Sequence, residues 1–416
     1  MKRHLNYLII LVITGLFFTS CEKLYEETPA GEQDDYLESF EMVSIISQIE
    51  IDAVYEYLAS LYSDASDIGE KAVSSVKVYK ITYKTTFQDE EVTASGLVSI
   101  PIGTETYPLL SFQNGTNTVH ENAPTVASSD SEMGQLYKFI ETVASTGFVI
   151  VLPDYIGFGS SSDLFHPYLD KESTVQSCID MLFATKELMA SHNLNVSISD
   201  DLYITGYSMG GWATLQLQKE IETNYSSDFN LKASACSGGP YNLLYMNNYI
   251  QNLEHYPMPY FIGYMLHSYI NLGDITNEYS EIIKEPYASR IPDLYDGEHG
   301  GEQINGQLTT SVEELFTNAY RNGYASYEEF FSVRQTLLNN SIEAWGITTP
   351  LALIHGEADD FIPPEVSGNI YNDFLTLGVD ANLIQFVLFP GIGHQDGIIP
   401  SGVSAINWFL QIKDSD

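Results

Sequence analysis

The segment GYSMGG at positions 206–211 places one serine among small residues, where an apolar run gives way to a helical pattern. A serine hydroxyl is a weak nucleophile at neutral pH, so it needs a base beside it and an exposed, fixed position. A sharp turn between a strand and a helix would give Ser208 that position, but such a turn is crowded. Gly206 and Gly210 are the small residues that it requires two positions before and two positions after the serine. The spacing therefore predicts a nucleophile elbow, in which Ser208 attacks an acyl carbonyl and the helix amide of Met209 meets the developing oxyanion.

Residues that could activate this serine occur late in the chain. In the fold that carries such elbows, the order along the chain is serine, carboxylate, histidine. The segment LALIHGEADDFIPP ends an apolar run and offers three carboxylates, Glu357, Asp359 and Asp360. His394 lies beyond the next apolar run, in the glycine-rich segment FPGIGHQDG. We expect His394 to take the proton of Ser208 and to deliver it to the leaving group, while a carboxylate holds the imidazole.

Apolar runs and helical patterns alternate along most of the chain. A hairpin pattern begins near residue 76, and strand patterns follow in YPLLSFQN, GFVIVLPDY, DLYITGYS and LKASACSGG, with helical patterns between them. Because these runs are continuously apolar, they indicate a mostly parallel, doubly wound sheet that is covered on both faces. The alternation stops near Pro240, and a helical stretch rich in Tyr, Met and Phe follows. Strand patterns then return in TPLALIHG and LIQFVLFP.

This order predicts one α/β domain, made of residues 36–239 and 347–416. A helical cap at 240–346 is inserted between the sixth strand and the strand that carries the acid. Before the hairpin, residues 36–63 have apolar side chains at helical spacing, which predicts one or two helices there. These side chains are Phe40, Val43, Ile46, Ile49, Val54 and Leu58.

The first twenty residues have the features of a targeting segment. Lys2 and Arg3 precede an apolar stretch from Tyr7 to Phe18, which is short for a membrane span. The following Thr-Ser-Cys resembles the lipobox of bacterial lipoproteins. That resemblance implies removal of residues 1–20, a lipid on the thiol of Cys21, and a location in the cell envelope, with residues 21–35 as an acidic tether. Ordinary secretion is the alternative.

Composition limits the classes of partner. The chain has 17 Lys and Arg against 56 Asp and Glu, a formal net charge of −39 at pH 7, so nucleic acid is not an expected partner. Hydrophobic residues make up 44% of the chain, enough for a large core. The sequence contains no Cys/His cluster at metal-ligand spacing, and we expect neither a metal nor a cofactor. Cys178 and Cys236 are expected to fill the core. Oligomeric state is not predicted.

The elbow and the late acid and histidine together resemble those of the α/β-hydrolases. Within that resemblance, HGEADDFIPP is similar to the acid loop of the esterases and peptidases of this superfamily, which implies Asp359 as the triad acid. Asp360 is the rival and is expected to cap the next helix. Many relatives have His-Gly after the strand that supplies the second oxyanion donor, whereas this chain has Asn-Gly-Thr. The donor besides Met209 is therefore Gly115 or Thr116.

A narrower resemblance covers much of residues 76–240. The segments QNGT, PDYIGFGSS, HPYLDKES and GYSMGGWAT are similar in order and wording to the secretory lipase group, whose members carry a helical cap before the acid. This resemblance implies hydrolysis of carboxylic esters, often lipids, through an acyl-enzyme. The alternatives are a prolyl-type serine peptidase, an acyl esterase that acts on carbohydrate side groups, and a non-catalytic binding lipoprotein.

Overall fold

A single sheet of nine strands passes through the part of the chain that the structure describes, residues 35–192 and 194–415 of a computed structural model. The strands are β1 (Leu37–Ile46), β2 (Val76–Phe87), β3 (Glu90–Pro101), β4 (Thr106–Gln113), β5 (Val149–Pro153), β6 (Ser197–Tyr207), β7 (Asn230–Ser237), β8 (Leu351–Gly356) and β9 (Ile384–Phe389). Their order across the sheet is β1-β2-β3-β5-β4-β6-β7-β8-β9. Pairing is antiparallel from β1 to β5 and parallel from there to β9. The carboxyl ends of β4, β6 and β8 therefore share one edge of the sheet.

The first five helices lie on both faces of this sheet. They are α1 (Gln48–Leu61), α2 (Ala65–Lys71), α3 (Glu132–Thr142), α4 (Lys171–Ser191) and α5 (Met209–Asn224). The buried side chains of α1, α2 and α3 join the core on one face, and those of α4 and α5 join the core on the other. Strands such as β5 and β8 are buried along their whole length, because helices cover them on both sides.

Eight short helices separate β7 from β8. They are α6 (Leu243–Gln251), α7 (Pro259–Leu272), α8 (Tyr279–Ile282), α9 (Ile291–Leu294), α10 (Gly301–Gln307), α11 (Val312–Leu315), α12 (Asn318–Gly323) and α13 (Phe331–Asn339). Two helices follow the last strands, α14 (Glu365–Leu377) and α15 (Ile398–Ser415). We call residues 240–346 the cap, although its boundaries stay a prediction.

The prediction of a helix at the start of residues 36–63 is wrong, because residues 37–46 form strand β1 and helix α1 begins only at Gln48. β1 pairs antiparallel with β2 along its length. Glu187 of α4 fixes the start of β1, because its carboxylate accepts hydrogen bonds from the backbone amides of Asp35, Tyr36 and Leu37 at 3.0, 2.9 and 2.7 Å. Pairing with a distant strand thus overrides a local helical pattern. With β1 included, the strand before the cap is the seventh rather than the sixth.

Two further expectations concern residues outside the sheet. Cys178 and Cys236 are buried and unpaired, as expected of cysteines that fill a core. The signal peptide, the lipidation site Cys21 and the tether up to residue 34 lie outside the described residues. Between residues 35 and 415, no described helix is both long enough and apolar enough to cross a membrane.

Candidate active site

The turn between β6 and α5 forces Ser208 into an unusual backbone conformation. Its φ is 60°, a value that non-glycine residues adopt only under constraint. A side chain at Gly206 would overlap the carbonyl oxygen of Gly210, and one at Gly210 would overlap that of Gln113. Gly211 is equally confined by the carbonyl oxygen of Ser237. The predicted small residues are therefore required by backbone atoms that cannot move aside.

Three connections at the carboxyl edge of the sheet bring the predicted triad side chains together. His394, in the loop between β9 and α15, places its Nε2 2.9 Å from the Oγ of Ser208. Its Nδ1 lies 2.6 Å from Oδ2 of Asp359, in the loop after β8. All three residues are less than a tenth exposed. The hydroxyl, imidazole and carboxylate thus form one continuous hydrogen-bonded chain.

The carboxylate of Asp359 is held as an anion. Its Oδ1 accepts the amides of Phe361 and Ile362 at 3.0 and 2.9 Å. Burial acts to raise the pKa of Asp359, but hydrogen bonds from His355, His394 and the Ile362 amide outweigh it and hold that pKa well below its ordinary range. An ionised Asp359 fixes the proton of His394 on Nδ1 and leaves Nε2 free to accept.

The two neighbouring carboxylates do not reach His394. Asp360 is exposed, and the expectation that it caps the next helix is wrong, because α14 follows Pro364 without a side-chain cap. Glu357 is exposed as well, but its Oε2 accepts the amide of Gly391 at 3.0 Å and so supports the loop that carries His394.

Two residues to which the sequence assigned no part in the triad contact it. His355, at the end of β8, is fully buried, and its Nε2 lies 3.2 Å from Oδ2 of Asp359. Tyr207, the residue before the serine, donates its hydroxyl to the carbonyl oxygen of His394 at 2.5 Å. His355 could have been found from its spacing, because it lies four residues before Asp359. No sequence signal links Tyr207 to a carbonyl 187 residues away.

The predicted oxyanion donors lie on two adjacent elements. Met209 is the first residue of α5, whose amino terminus favours negative charge. Gly115 and Thr116 follow β4, which pairs with β6 so that Gln113 lies beside Gly206. The loop thus begins next to the elbow, and Thr116 Oγ1 lies 3.0 Å from the hydroxyl of Tyr168. Whether Gly115 or Thr116 supplies the second amide stays a prediction.

The cap covers this site from two sides. On the acid side, the ring of Phe361 lies 5.0 Å from that of His394, and Tyr256 donates its hydroxyl to the carbonyl oxygen of Phe361 at 3.2 Å. On the oxyanion side, Tyr264 of α7 stacks on Tyr168 with ring centroids 4.5 Å apart. Its hydroxyl also donates to the carbonyl oxygen of Asn117 at 2.9 Å. Cap tyrosines therefore contact both the acid loop and the loop that follows β4.

Two other polar residues of the loops beside the site have structural contacts. Asp154 accepts the amide and hydroxyl of Thr125 and the hydroxyl of Ser95, and burial raises its pKa to about 6. His166 hydrogen-bonds through Nδ1 to the carbonyl oxygen of Ile156 at 2.7 Å. Within the described ranges, no group of three or more His, Cys, Asp or Glu side chains is arranged to hold a metal ion.

The family model for secretory lipases matches residues 130–411, which include the elbow, the cap and the acid and histidine loops. The chain belongs to the secretory lipase family. Membership of this family makes it a carboxylic ester hydrolase, and the structural neighbours described next establish the α/β-hydrolase fold. A search of curated protein sequences finds no significant match.

Several solved structures are similar to this member of the secretory lipase family over most of its length. A candidate hydrolase from Legionella pneumophila is 25% identical, with a TM-score of 0.79, and the match covers 91% of this chain and 98% of that one. The rice cell wall degrading esterase LipA from Xanthomonas oryzae is 24% identical, with a TM-score of 0.72 and coverage of 91% and 97%. Candida antarctica lipase A, in its closed state, is 15% identical, with a TM-score of 0.61 and coverage of 80% and 78%. At these identities the last two establish the fold alone.

Proposed function

We propose that this secretory lipase cleaves carboxylic esters with Ser208 as nucleophile, His394 as general base and acid, and Asp359 as the carboxylate that orients the imidazole. The observation that carries the proposal is the hydrogen-bonded chain from Ser208 Oγ through His394 to Asp359, with links of 2.9 and 2.6 Å. Each group has the environment that its role needs. The serine is fixed on a strained turn, the imidazole is hydrogen-bonded at both ring nitrogens, and the carboxylate is an anion.

The reaction proceeds in two halves. Ser208 Oγ attacks the ester carbonyl while its proton passes to Nε2 of His394, and the oxyanion accepts hydrogen bonds from the amide of Met209 and from Gly115 or Thr116. Collapse of this intermediate breaks the bond to the alcohol, which takes the proton from His394, and leaves an acyl-enzyme on Ser208. Water then repeats the sequence and releases the carboxylic acid.

Hydrolysis of a chromogenic ester series, from acetate to palmitate, tests the proposal. The purified full chain should turn over the esters, and Ser208→Ala should lose at least about 10⁴-fold in kcat. A fluorophosphonate probe should label the wild type at Ser208 and leave the variant unlabelled. Ester turnover that persists in Ser208→Ala would refute the assignment. Cleavage confined to a proline-ending amide would replace the esterase with a prolyl-type peptidase.

A second candidate substrate is an acyl ester on a carbohydrate. The rice cell wall degrading esterase LipA shares the fold of this chain over 91% of its length, which is the reason to test a carbohydrate ester beside simple esters. An acetylated or feruloylated oligosaccharide, assayed beside the simple esters, separates the two substrates. A higher kcat/KM for the oligosaccharide than for the matching alkyl ester would support the carbohydrate esterase.

We also propose that the protein is held in the cell envelope by a lipid on Cys21. The signal-like start and the Thr-Ser-Cys sequence support this location, and the acidic tether would separate the body from the membrane. Incorporation of labelled palmitate into the wild type but not into Cys21→Ala is the expected result. Unlabelled, freely soluble wild type would indicate ordinary secretion instead.

A further inference from the structure

His355 touches the proposed triad without belonging to it. The side chain is completely buried at the end of β8. Its Nε2 faces two oxygens that can only accept, the carbonyl of Ile362 at 2.9 Å and Oδ2 of Asp359 at 3.2 Å. Nε2 must therefore carry the proton, and Nδ1 of the neutral ring is an acceptor. Ser367 of α14, with its Oγ 2.6 Å from Nδ1, then donates its hydroxyl to that nitrogen and anchors the other side of the ring.

We propose that His355, anchored by Ser367, is a positioning residue for ester hydrolysis that holds the carboxylate of Asp359 in the orientation His394 requires. The inference rests on the proposed function. Both histidines contact the same atom, because Oδ2 of Asp359 accepts hydrogen bonds from His355 and from His394. Oδ1 is held by two backbone amides. The carboxylate is thus fixed at both oxygens before His394 approaches it.

The competition for Oδ2 has a chemical consequence. A carboxylate oxygen that already accepts one hydrogen bond stabilises a second, charged donor less strongly. His355 therefore moderates the stabilisation that Asp359 gives to the protonated imidazole of His394. Loss of the His355 donor should therefore shift the acid limb of the pH–rate profile to higher pH.

Other titratable groups face the pair from several elements. The hydroxyls of Tyr207 on β6 and of Tyr249 and Tyr256 in the cap interact electrostatically with Asp359. Asp396 interacts with Tyr207 beside His394, and Tyr241 lies close to Ser367. Burial raises the pKa of all four of these tyrosines, so their hydroxyls stay neutral near pH 7. Among the described residues, His355 and His394 are the side chains that donate to Asp359.

Three variants of the full chain test the role of His355. His355→Leu removes both the donor and the ring, whereas His355→Gln keeps an N–H donor near the Nε2 position. Ser367→Ala keeps the imidazole and removes the hydroxyl that anchors its Nδ1. For His355→Leu we expect kcat for a short-chain ester to fall about 10- to 100-fold at pH 7, with KM little changed. The acid limb of its pH–rate profile should move up by roughly half a pH unit.

The matched variants give the graded result that a positioning role requires. His355→Gln should recover most of kcat and return the acid limb to its wild-type position. Ser367→Ala should lie between the wild type and His355→Leu. Circular dichroism and thermal melting establish that each variant is folded. If His355→Leu does not fold, the glutamine and alanine variants decide the question.

An unmoved acid limb in every folded variant would overturn the proposal, since a merely structural role lowers activity equally at all pH values. Wild-type kcat in both Ser367→Ala and His355→Leu would overturn it as well. Ser208→Ala, assayed alongside, distinguishes failure of the proposed triad from failure of the positioning role. If that variant retains turnover, the proposed triad fails. If it is inactive while the His355 variants behave as wild type, the positioning role alone fails.

Discussion

The elbow and the cap meet at the same site but are held in place by different forces. Around Ser208, backbone atoms exclude any side chain at Gly206, Gly210 and Gly211. The cap is fastened by replaceable side-chain contacts, such as the hydroxyl of Tyr269, which donates to the carbonyl oxygen of Leu169 at 2.8 Å. Trp212 similarly donates its indole N–H to the carbonyl of Asn340 at 2.9 Å. A backbone constraint tolerates no variation, whereas a set of side-chain contacts can be changed one at a time.

This difference predicts that the largest effects of substitution come from the elbow. Gly210→Ala should destabilise the fold by roughly 3 kcal/mol or more and abolish ester turnover, because the new Cβ overlaps the carbonyl oxygen of Gln113. Gly402→Ala, in α15, is the matched control, since nothing lies within 4 Å of its added Cβ. The control should gain about 0.5–1 kcal/mol. Urea unfolding measures the free energy of unfolding of both variants, and equal values would contradict the backbone constraint at Gly210.

The acid loop should show the next largest effect, on activity rather than on folding. Asp359→Asn replaces an anion by a neutral amide of the same size, so the tautomer of His394 is no longer fixed. We expect kcat to fall about 10³- to 10⁴-fold. Asp360→Asn changes an exposed carboxylate in the next position and should stay within about two-fold of the wild type. A large loss in Asp360→Asn would instead assign the acid to that residue.

The junction between core and cap should respond to pH. His166 packs against Tyr168 and Tyr264 there, and burial lowers its pKa from 6.5 to about 4. The folded protein then binds fewer protons than the unfolded chain, so its stability falls as the pH drops from 6.5 through 4. Between pH 7 and pH 5 the loss from His166 is about 2 kcal/mol.

His166→Asn isolates that contribution, because its amide can replace the Nδ1 donor without titrating. Urea unfolding at pH 7 and pH 5 should show a smaller loss of stability in the variant than in the wild type. Equal losses in the two proteins would mean that His166 does not titrate differently on folding, and that the junction is no more sensitive to acid than the rest of the molecule.

The smallest predicted effect separates contacts across the junction from contacts within the cap. Tyr264→Phe removes the hydrogen bond to Asn117, beside the loop of Gly115 and Thr116, and should cost about 1 kcal/mol of stability. It should also lower kcat/KM by roughly two- to five-fold. Tyr320→Phe removes a hydroxyl that donates to Asn247 within the cap at 2.9 Å. It should cost similar stability and leave kcat/KM unchanged, and an equal kinetic loss in both would contradict the comparison.

The same contrast explains what sequence could predict. The roles of Gly206 and Gly210 are predicted from a six-residue segment because the constraint on them is local. The order of Asp359 and His394 along the chain then follows from the fold that such a segment implies. The helices of the cap are predicted from composition and spacing. Their attachments are not, because Tyr264 and its acceptor Asn117 are 147 residues apart. Strand β1 is missed for a similar reason, since its conformation depends on β2 and on Glu187 rather than on its own spacing.

The position of the last strands has a consequence for biosynthesis. Ser208 is complete, with its elbow and both sheet neighbours β4 and β7, once residue 237 has been made. Asp359 and His394 are translated only after the whole cap. From residue 238 to residue 394, a growing chain would therefore carry the proposed nucleophile without its proposed base. With the proposed triad, ester hydrolysis should begin only when the loops of Asp359 and His394 join the sheet, so a chain that ends before residue 394 should lack the activity of the full chain.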